Sequence, residues 1–161
     1  MIKFFLGVVI VCITTLVGYL FTAKYRKRKE FFVQLNEFND RFIAEVSYYK
    51  RPLTEFIGSF VYRGEFQELL IEVLEMKKSA EIKRLELSRF PFLSQDERVL
   101  LEEYFLTMGK GDSLSQKNYF GGAKNELCDL RRKSEEECKR YGDLALKLGL
   151  LCGLAILVLI V

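Results

Sequence analysis

The residues with the clearest potential for chemistry form a glycine-containing turn. Gly109-Lys110-Gly111-Asp112-Ser113 has glycine, lysine and serine in an order that suggests a phosphate-binding loop. A P-loop needs a preceding strand, a longer glycine spacing and a Lys-Ser/Thr pair that opens a helix, and this segment has none of them. We therefore interpret the segment as a turn between two helices.

Other candidates for catalysis or metal binding are weaker. In Glu135-Glu136-Glu137, neighbouring carboxylates point in different directions on a helix, so we expect a solvated face. The sequence contains no histidine, the commonest general base and metal ligand. Cys128 and Cys138 form no C-x-x-C motif, and we expect both to be small core residues rather than zinc ligands or disulfide partners. We predict no catalytic residue, no metal site and no cofactor.

Glu45 is a separate case, because it lies in an aromatic-rich segment beside Val46 and Tyr48-Tyr49. The interpretation that we favour is an exposed position off the apolar stripe. The alternative is a buried polar contact to a partner or to another helix.

The middle of the chain has apolar residues at helical spacing. The first stripe consists of Phe31, Leu35, Phe38, Phe42, Val46 and Tyr49. Pro52 suits the first turn of the next helix, and Gly64 is expected to end that helix. Two further helices are predicted over residues 66–76 and 80–90, the latter carrying Ile82, Leu85 and Leu87.

Two capping boxes mark the last helix starts. Ser94-Gln95-Asp96-Glu97 predicts a helix that ends at Gly109, and Ser113-Leu114-Ser115-Gln116 predicts a second, very long helix. The apolar stripe of the long helix continues to Leu148, so this helix should run into the following apolar segment without a break.

Two uncharged apolar segments flank these helices, at residues 4–23 and 148–161. A helix needs about 20 apolar residues to cross a bilayer. The first segment has that length, and residues 144–146 extend the second if Lys147 snorkels to the headgroups. Basic residues at 24–29 and 139–140 lie between the two segments, which predicts a cytoplasmic middle and extracytoplasmic termini.

These patterns predict an all-α protein, an antiparallel bundle of about six helices flanked by membrane helices. The predicted domains are a transmembrane helix at residues 1–23, a cytoplasmic bundle at 24–143 and a second transmembrane helix at 144–161. The net charge of +3 resides largely in the cluster after the first segment. A nucleic-acid partner is therefore not expected, and the position of the cluster suits contact with anionic lipid.

Three groups of residues, in this order and spacing, carry a resemblance to a known family. They are Thr14-Thr15-Leu16-Val17-Gly18-Tyr19 with Lys24-Tyr25-Arg26, Glu45-Val46-Ser47-Tyr48 with Pro52-Leu53, and Leu148-Gly149-Leu150-Leu151-Cys152-Gly153-Leu154-Ala155-Ile156. Over its whole length the chain resembles stage III sporulation protein AB of endospore-forming bacteria. One departure is Arg51, since the family usually has a helix-capping threonine before the Pro-Leu pair.

The resemblance implies a protein of the mother-cell membrane around the forespore, part of a secretion-like channel complex needed for late forespore gene expression. It implies a bundle similar to the F-type platform domain of type II secretion and type IV pilus machines, without catalytic residues. The implied partners are a secretion-type ATPase, other small membrane proteins of the channel and the lipid bilayer, with a homo-oligomer left open.

Two alternative functions remain. One is a membrane-tethered helical scaffold or sensor without an ATPase partner. The other is a membrane-bound enzyme that uses an unrecognised site at Cys128 or Glu45.

Overall fold

The computed structural model describes residues 2–79 and 85–160, and the regular structure in these residues is helical. The α-helices are α1 (Ile2–Phe21), α2 (Ala23–Ala44), α3 (Leu53–Gly58), α4 (Gly64–Ser79), α5 (Gln95–Thr107) and α6 (Ser113–Ile160). A π-helical turn (Glu45–Tyr49) follows α2, and a 3-10 turn (Leu87–Arg89) precedes α5. The prediction of an all-α bundle is confirmed.

The chain divides into two compact units. We call Glu30–Arg132 the bundle unit, and Met1–Lys29 together with Lys133–Val161 the helix-pair unit. Helices α2 and α6 contribute residues to both units. The domain boundaries given above at residues 23/24 and 143/144 refer to a membrane, and they stay predictions.

The core of the bundle unit is built around the aromatic stripe of α2. Phe31, Phe38 and Phe42 are buried there, as the helical spacing predicts. The Phe38 ring lies 5.4–6.5 Å, centroid to centroid, from five other aromatic rings. These rings belong to Phe42, Phe56, Tyr62, Phe66 and Phe105. Because a fully buried phenylalanine stabilises a fold by roughly 2 kcal/mol, this cluster is a main source of the unit's stability.

Two buried asparagines join α2 to α6. The Asn36 amide donates to the Leu127 carbonyl oxygen at 2.8 Å, and the Asn39 amide donates to the Phe120 carbonyl oxygen at 3.3 Å. The hydroxyl of Tyr104, on α5, donates to the Asn39 side-chain oxygen at 2.9 Å. A buried polar group is tolerated only when it is hydrogen-bonded, so these contacts fix how three helices align.

The two predicted capping boxes have different outcomes. At α5 the box forms: Ser94 Oγ accepts from the Glu97 N–H at 3.3 Å, and Glu97 accepts from the Ser94 N–H at 2.8 Å. At α6 the cap is Asp112 instead of Ser113, since the Asp112 carboxylate accepts from the Ser115 N–H at 2.9 Å. Aspartate and serine are comparably good caps, and the helix begins one residue after the aspartate.

Other predicted helix boundaries need correction. Gly64 begins α4 instead of ending the preceding helix, because α3 already ends at Gly58. The helix predicted over residues 80–90 falls partly outside the described residues, as does its Ile82. Its described part contains only the 3-10 turn, although Leu85 and Leu87 are buried as expected. A buried apolar side chain therefore did not require a helical backbone here.

The helix-pair unit is held by very close backbone contacts. A Cβ atom added to Gly18 would lie 2.7 Å from the Ala145 carbonyl oxygen, and one added to Gly149 would lie 3.0 Å from the Thr14 carbonyl oxygen. A Cβ added to Gly153 would lie 2.9 Å from the Val11 Cα. The G-x-x-x-G pattern at residues 149 and 153 thus lies against α1, at a distance that only glycine permits.

One helix of the described residues is long and apolar enough to cross a membrane: Ser113–Val158, within α6. The first predicted span forms the helix α1, and a one-residue break at Thr22 separates it from α2. Thr22 Oγ1 donates to the Tyr19 carbonyl oxygen at 2.8 Å at this break. The long helix predicted from residue 113 into the apolar segment is continuous, as expected, while Val161 lies outside the described residues.

We expect Tyr104→Phe to destabilise the bundle unit. The change leaves the buried Asn39 oxygen without its donor, which costs about 1–2 kcal/mol. Thermal unfolding of the full chain in mild detergent measures the effect, and Tyr119→Phe is the matched control. The Tyr119 hydroxyl is 3.5 Å from Glu103 at an exposed position. If both variants unfold at the temperature of the wild type, the hydrogen bond between Tyr104 and Asn39 does not stabilise the fold.

Candidate functional site

The structure does not bring the residues first considered for catalysis into one site. Cys128 is exposed, so its predicted core position is wrong, and Cys138 is half-buried. The neighbouring Leu127 takes the inward position on α6. Of the Glu135-Glu136-Glu137 run, Glu136 is exposed and Glu137 lies 3.5 Å from Arg28. Among residues 2–79 and 85–160, no group of His, Cys, Asp or Glu side chains is arranged to hold a metal ion.

Several amides of the turn between α5 and α6 are already used by hydrogen bonds within the turn. Its Gly109 N–H donates to the Gln116 side-chain oxygen at 3.1 Å, and the Ser115 N–H is used by the Asp112 carboxylate. Gly109 has φ +82°, and a Cβ there would lie 2.7 Å from Leu53 Cδ2. The glycine is therefore required by the conformation and packing of the turn itself.

The feature of the bundle unit that most resembles a functional site is the π-helical turn after α2. Its hydrogen bond runs from the Lys50 N–H to the Glu45 carbonyl oxygen at 2.8 Å, and Lys50 then adopts a left-handed conformation with φ 54°. A π-turn and a non-glycine residue at positive φ are both rare, and both concentrate at functional sites.

Glu45 is buried, which contradicts the exposed position favoured from the sequence. Its carboxylate accepts hydrogen bonds from the Arg51 N–H at 2.9 Å, from Arg51 Nε at 3.1 Å and from Arg51 Nη2 at 2.6 Å. The Arg51 hydrogen bonds and positive charge lower the pKa of Glu45, against the opposing effect of burial. Arg51, which departs from the family pattern at a capping position, therefore has a role as the partner of Glu45.

The lowered pKa of Glu45 does not favour general-base catalysis near neutral pH. A general base works best with a pKa near the operating pH, and the pKa of Glu45 is lowered away from it. The pair instead links the two ends of a short loop, Glu45 and Arg51. This link restrains the backbone of the five residues between them. The ion pair therefore has a structural role in this turn.

The residues fixed by this pair are two exposed aromatics. Tyr48 is 80% exposed and Tyr49 is 70% exposed, although Tyr49 was expected on the buried stripe. A π-turn contains an extra residue, so Tyr49 is rotated away from the face of Phe42, seven positions earlier. Beside the ion pair lies a cleft of about 250 Å³, lined by residues that include Phe42 and Lys50. Tyrosine on a rigid turn is typical of protein-binding surfaces. We call Tyr48, Tyr49 and Lys50 the tyrosine turn.

Sequence patterns did not identify the tyrosine turn as a site, although a signal was present. Glu45 and Arg51 are six residues apart, with two aromatics and Lys50 between them and Pro52 after them. An acidic residue in an aromatic segment, followed by arginine at a helix end, is compatible with a closing ion pair. The π-turn that brings them together is not visible in helical periodicity.

The ion pair makes the stability of the bundle depend on pH. Because the folded-state pKa of Glu45 is lower than its ordinary value of 4.5, the pair contributes fully above about pH 4.5. The contribution is lost as the pH falls below 4.5 and through the folded-state pKa. We expect Glu45→Gln to lower the unfolding temperature at pH 7 and to approach the wild type as the pH falls below 4.5. The matched variant Glu55→Gln removes an exposed carboxylate nearby. A difference between wild type and Glu45→Gln that does not change with pH would contradict this assignment.

Comparison with known proteins gives one family. The chain matches the family model described as stage III sporulation protein AB over residues 3–161. A search of the curated proteins gave no match, and a search of the solved structures gave none either. Because the family model covers almost the whole chain, the chain belongs to the stage III sporulation protein AB family.

Proposed function

We propose that this protein is a non-enzymatic membrane platform in a secretion-like channel complex between mother cell and forespore. Family membership implies a role in stage III of sporulation, and the family is not a known enzyme family. In the proposal, α1 and the end of α6 both cross the membrane, with the termini outside and the bundle unit in the mother-cell cytoplasm. The bundle binds a secretion-type ATPase and couples it to the membrane assembly.

The observation that carries the proposal is the inverted composition of the helix-pair unit. Its buried positions among the described residues include Thr22, Ser134 and Gly153, all small. Its large apolar side chains point outward instead: Leu20 is 60% exposed and Val158 is 77% exposed. Water disfavours such a surface, whereas lipid matches it, and small residues at the contact are typical of membrane helix pairs.

The direction of insertion follows from charge. Lys24 and Lys29 follow α1, while Lys139 and Arg140 precede the apolar part of α6. Basic residues next to a span remain on the cytoplasmic side. One basic group follows the first apolar segment and the other precedes the second, so both lie next to the bundle. This supports a cytoplasmic bundle with both termini on the opposite side of the membrane.

The native cysteines provide a direct test of this topology. With Cys12, Cys138 and Cys152 changed to serine, exposed Cys128 in the bundle remains as the reporter. In intact protoplasts of vegetative cells that express the chain, where extracytoplasmic termini face the medium, we expect a membrane-impermeant maleimide to leave Cys128 unlabelled, and to label it after permeabilisation. Cleavable tags fused to the two termini should be removed by external protease in the same protoplasts.

Two outcomes would contradict the topology. One is labelling of Cys128 in intact protoplasts, and the other is release of the wild-type chain from membranes by alkaline carbonate. A chain in which all four cysteines are serine controls for unspecific labelling.

The tyrosine turn is the surface that we propose for the ATPase. Exposed tyrosines on a fixed turn bind with little loss of conformational freedom. We expect the double variant Tyr48→Ala/Tyr49→Ala to weaken binding of the purified ATPase at least about tenfold, since interface tyrosines often contribute 1 kcal/mol or more each. Its unfolding temperature should stay close to that of the wild type, because both rings are exposed.

The control for this experiment is Val99→Ala, which removes a 56% exposed apolar side chain from α5. Equal binding by wild type and both variants would exclude the tyrosine turn as the ATPase surface. Absence of ATPase binding by the wild-type chain would favour the alternative function, a membrane-tethered scaffold or sensor without an ATPase partner.

A further inference from the structure

The helix-pair unit carries a group of tyrosines and cations where its apolar surface ends. We call residues 19–26 and 139–143 the collar. The rings of Tyr25 and Tyr141 stack across the two helices, with centroids 4.6 Å apart and planes 16° from parallel. The guanidinium of Arg26 lies 3.9 Å from the centre of the Tyr19 ring, and that of Arg140 lies 5.9 Å from Tyr141. Because the stacked rings join the two helices, the cations beside them lie at the same height along the helix pair.

The collar has an excess of positive charge. It contains the cations Lys24, Arg26, Lys139 and Arg140 and a single carboxylate, that of Asp143. Lys24, Lys139 and Arg140 are exposed, so their charges are available to a ligand in solution or in a membrane. The collar therefore suits a ligand with negative charge.

The surface on one side of the collar is apolar. Leu16 precedes the collar and Leu20 lies at its apolar edge on α1, while Leu144 and Leu148 follow it on α6. All four are more than half exposed, between 51% and 60%. A ligand that fits both surfaces is anionic at one end and hydrocarbon at the other. Free phosphate matches only the charged part.

We propose that the collar binds the phosphodiester headgroup of an anionic phospholipid. Arginine guanidinium groups donate paired hydrogen bonds to phosphate oxygens, and exposed Lys24 and Lys139 add charge. The acyl chains lie along the exposed leucines. This inference rests on the proposed membrane insertion, which places the collar at the level of the headgroups, where tyrosine is also favoured.

Native mass spectrometry of the full chain tests the proposal. The chain is purified in an uncharged detergent and given equal amounts of phosphatidylglycerol and phosphatidylcholine. We expect the wild type to retain phosphatidylglycerol preferentially. Arg26→Gln/Arg140→Gln should lower that retention roughly tenfold, because each cation near a membrane contributes severalfold to anionic-lipid binding. The matched control Lys29→Gln/Lys133→Gln removes the same charge from exposed positions outside the collar and should retain the preference.

Three results would overturn the inference: equal retention of both lipids by the wild type, equal losses in the two double variants, or displacement of phosphatidylglycerol by millimolar inorganic phosphate. The second would indicate only long-range attraction, and the third an anion site without lipid specificity. Circular dichroism checks that the variants keep their helix content. Alkaline carbonate extraction separates the two proposals, because a chain that stays in the membrane without preferring phosphatidylglycerol contradicts only the lipid site.

Discussion

The bundle unit depends on the register that Asn36 and Asn39 impose between α2 and α6. Their amides donate to the carbonyl oxygens of Leu127 and Phe120, seven residues apart on α6, so one helix is aligned with the other at two points. Apolar packing alone tolerates small shifts of one helix along another, whereas a buried amide that loses its acceptor costs about 1–3 kcal/mol. Tyr104 joins α5 to the same network, and burial raises the pKa of its hydroxyl well above the usual value, which keeps it a donor.

The same alignment explains the tyrosine turn. Phe42 still packs in the core, with its ring 4.7 Å from that of Phe120, but the next inward position is Glu45. A buried carboxylate without a partner is strongly unfavourable, so the chain must return a cation to it within a short distance. The π-turn and the left-handed Lys50 bring Arg51 back to Glu45. Tyr48 and Tyr49 lie within the segment between Glu45 and Arg51, and both are exposed there.

The sequence predicted the features that depend on local chemistry. The stripe of α2, the capping box at Ser94 and the continuous α6 all follow from periodicity and side-chain hydrogen bonding over a few residues. It failed where distant residues decide: Glu45 is buried with Arg51 as its partner, and on α6 the buried position is that of Leu127 and not of Cys128. Gly149 and Gly153 form a G-x-x-x-G in the sequence, but their contact with Thr14 and Val11 could not be predicted, because α1 contains no matching glycine spacing. The exposed tyrosine turn was missed for the same reason as the burial of Glu45.

The helices of the bundle unit associate through large buried side chains, whereas those of the helix-pair unit associate through close backbone contacts. The two kinds of packing suit different solvents. The bundle unit buries large rings such as Phe38 and Phe105, and removal of such rings from water is what drives its folding. The helix-pair unit gains little from that effect, since its large apolar side chains face outward. Its helices approach through Gly18, Gly149 and Gly153, which maximises van der Waals contact between backbones. Close backbone packing is the means of association available to helices in lipid, where apolar burial gives no advantage over the solvent. A single chain with both kinds of packing is what the proposed topology requires, with water around the aromatic bundle and hydrocarbon around the glycine contacts.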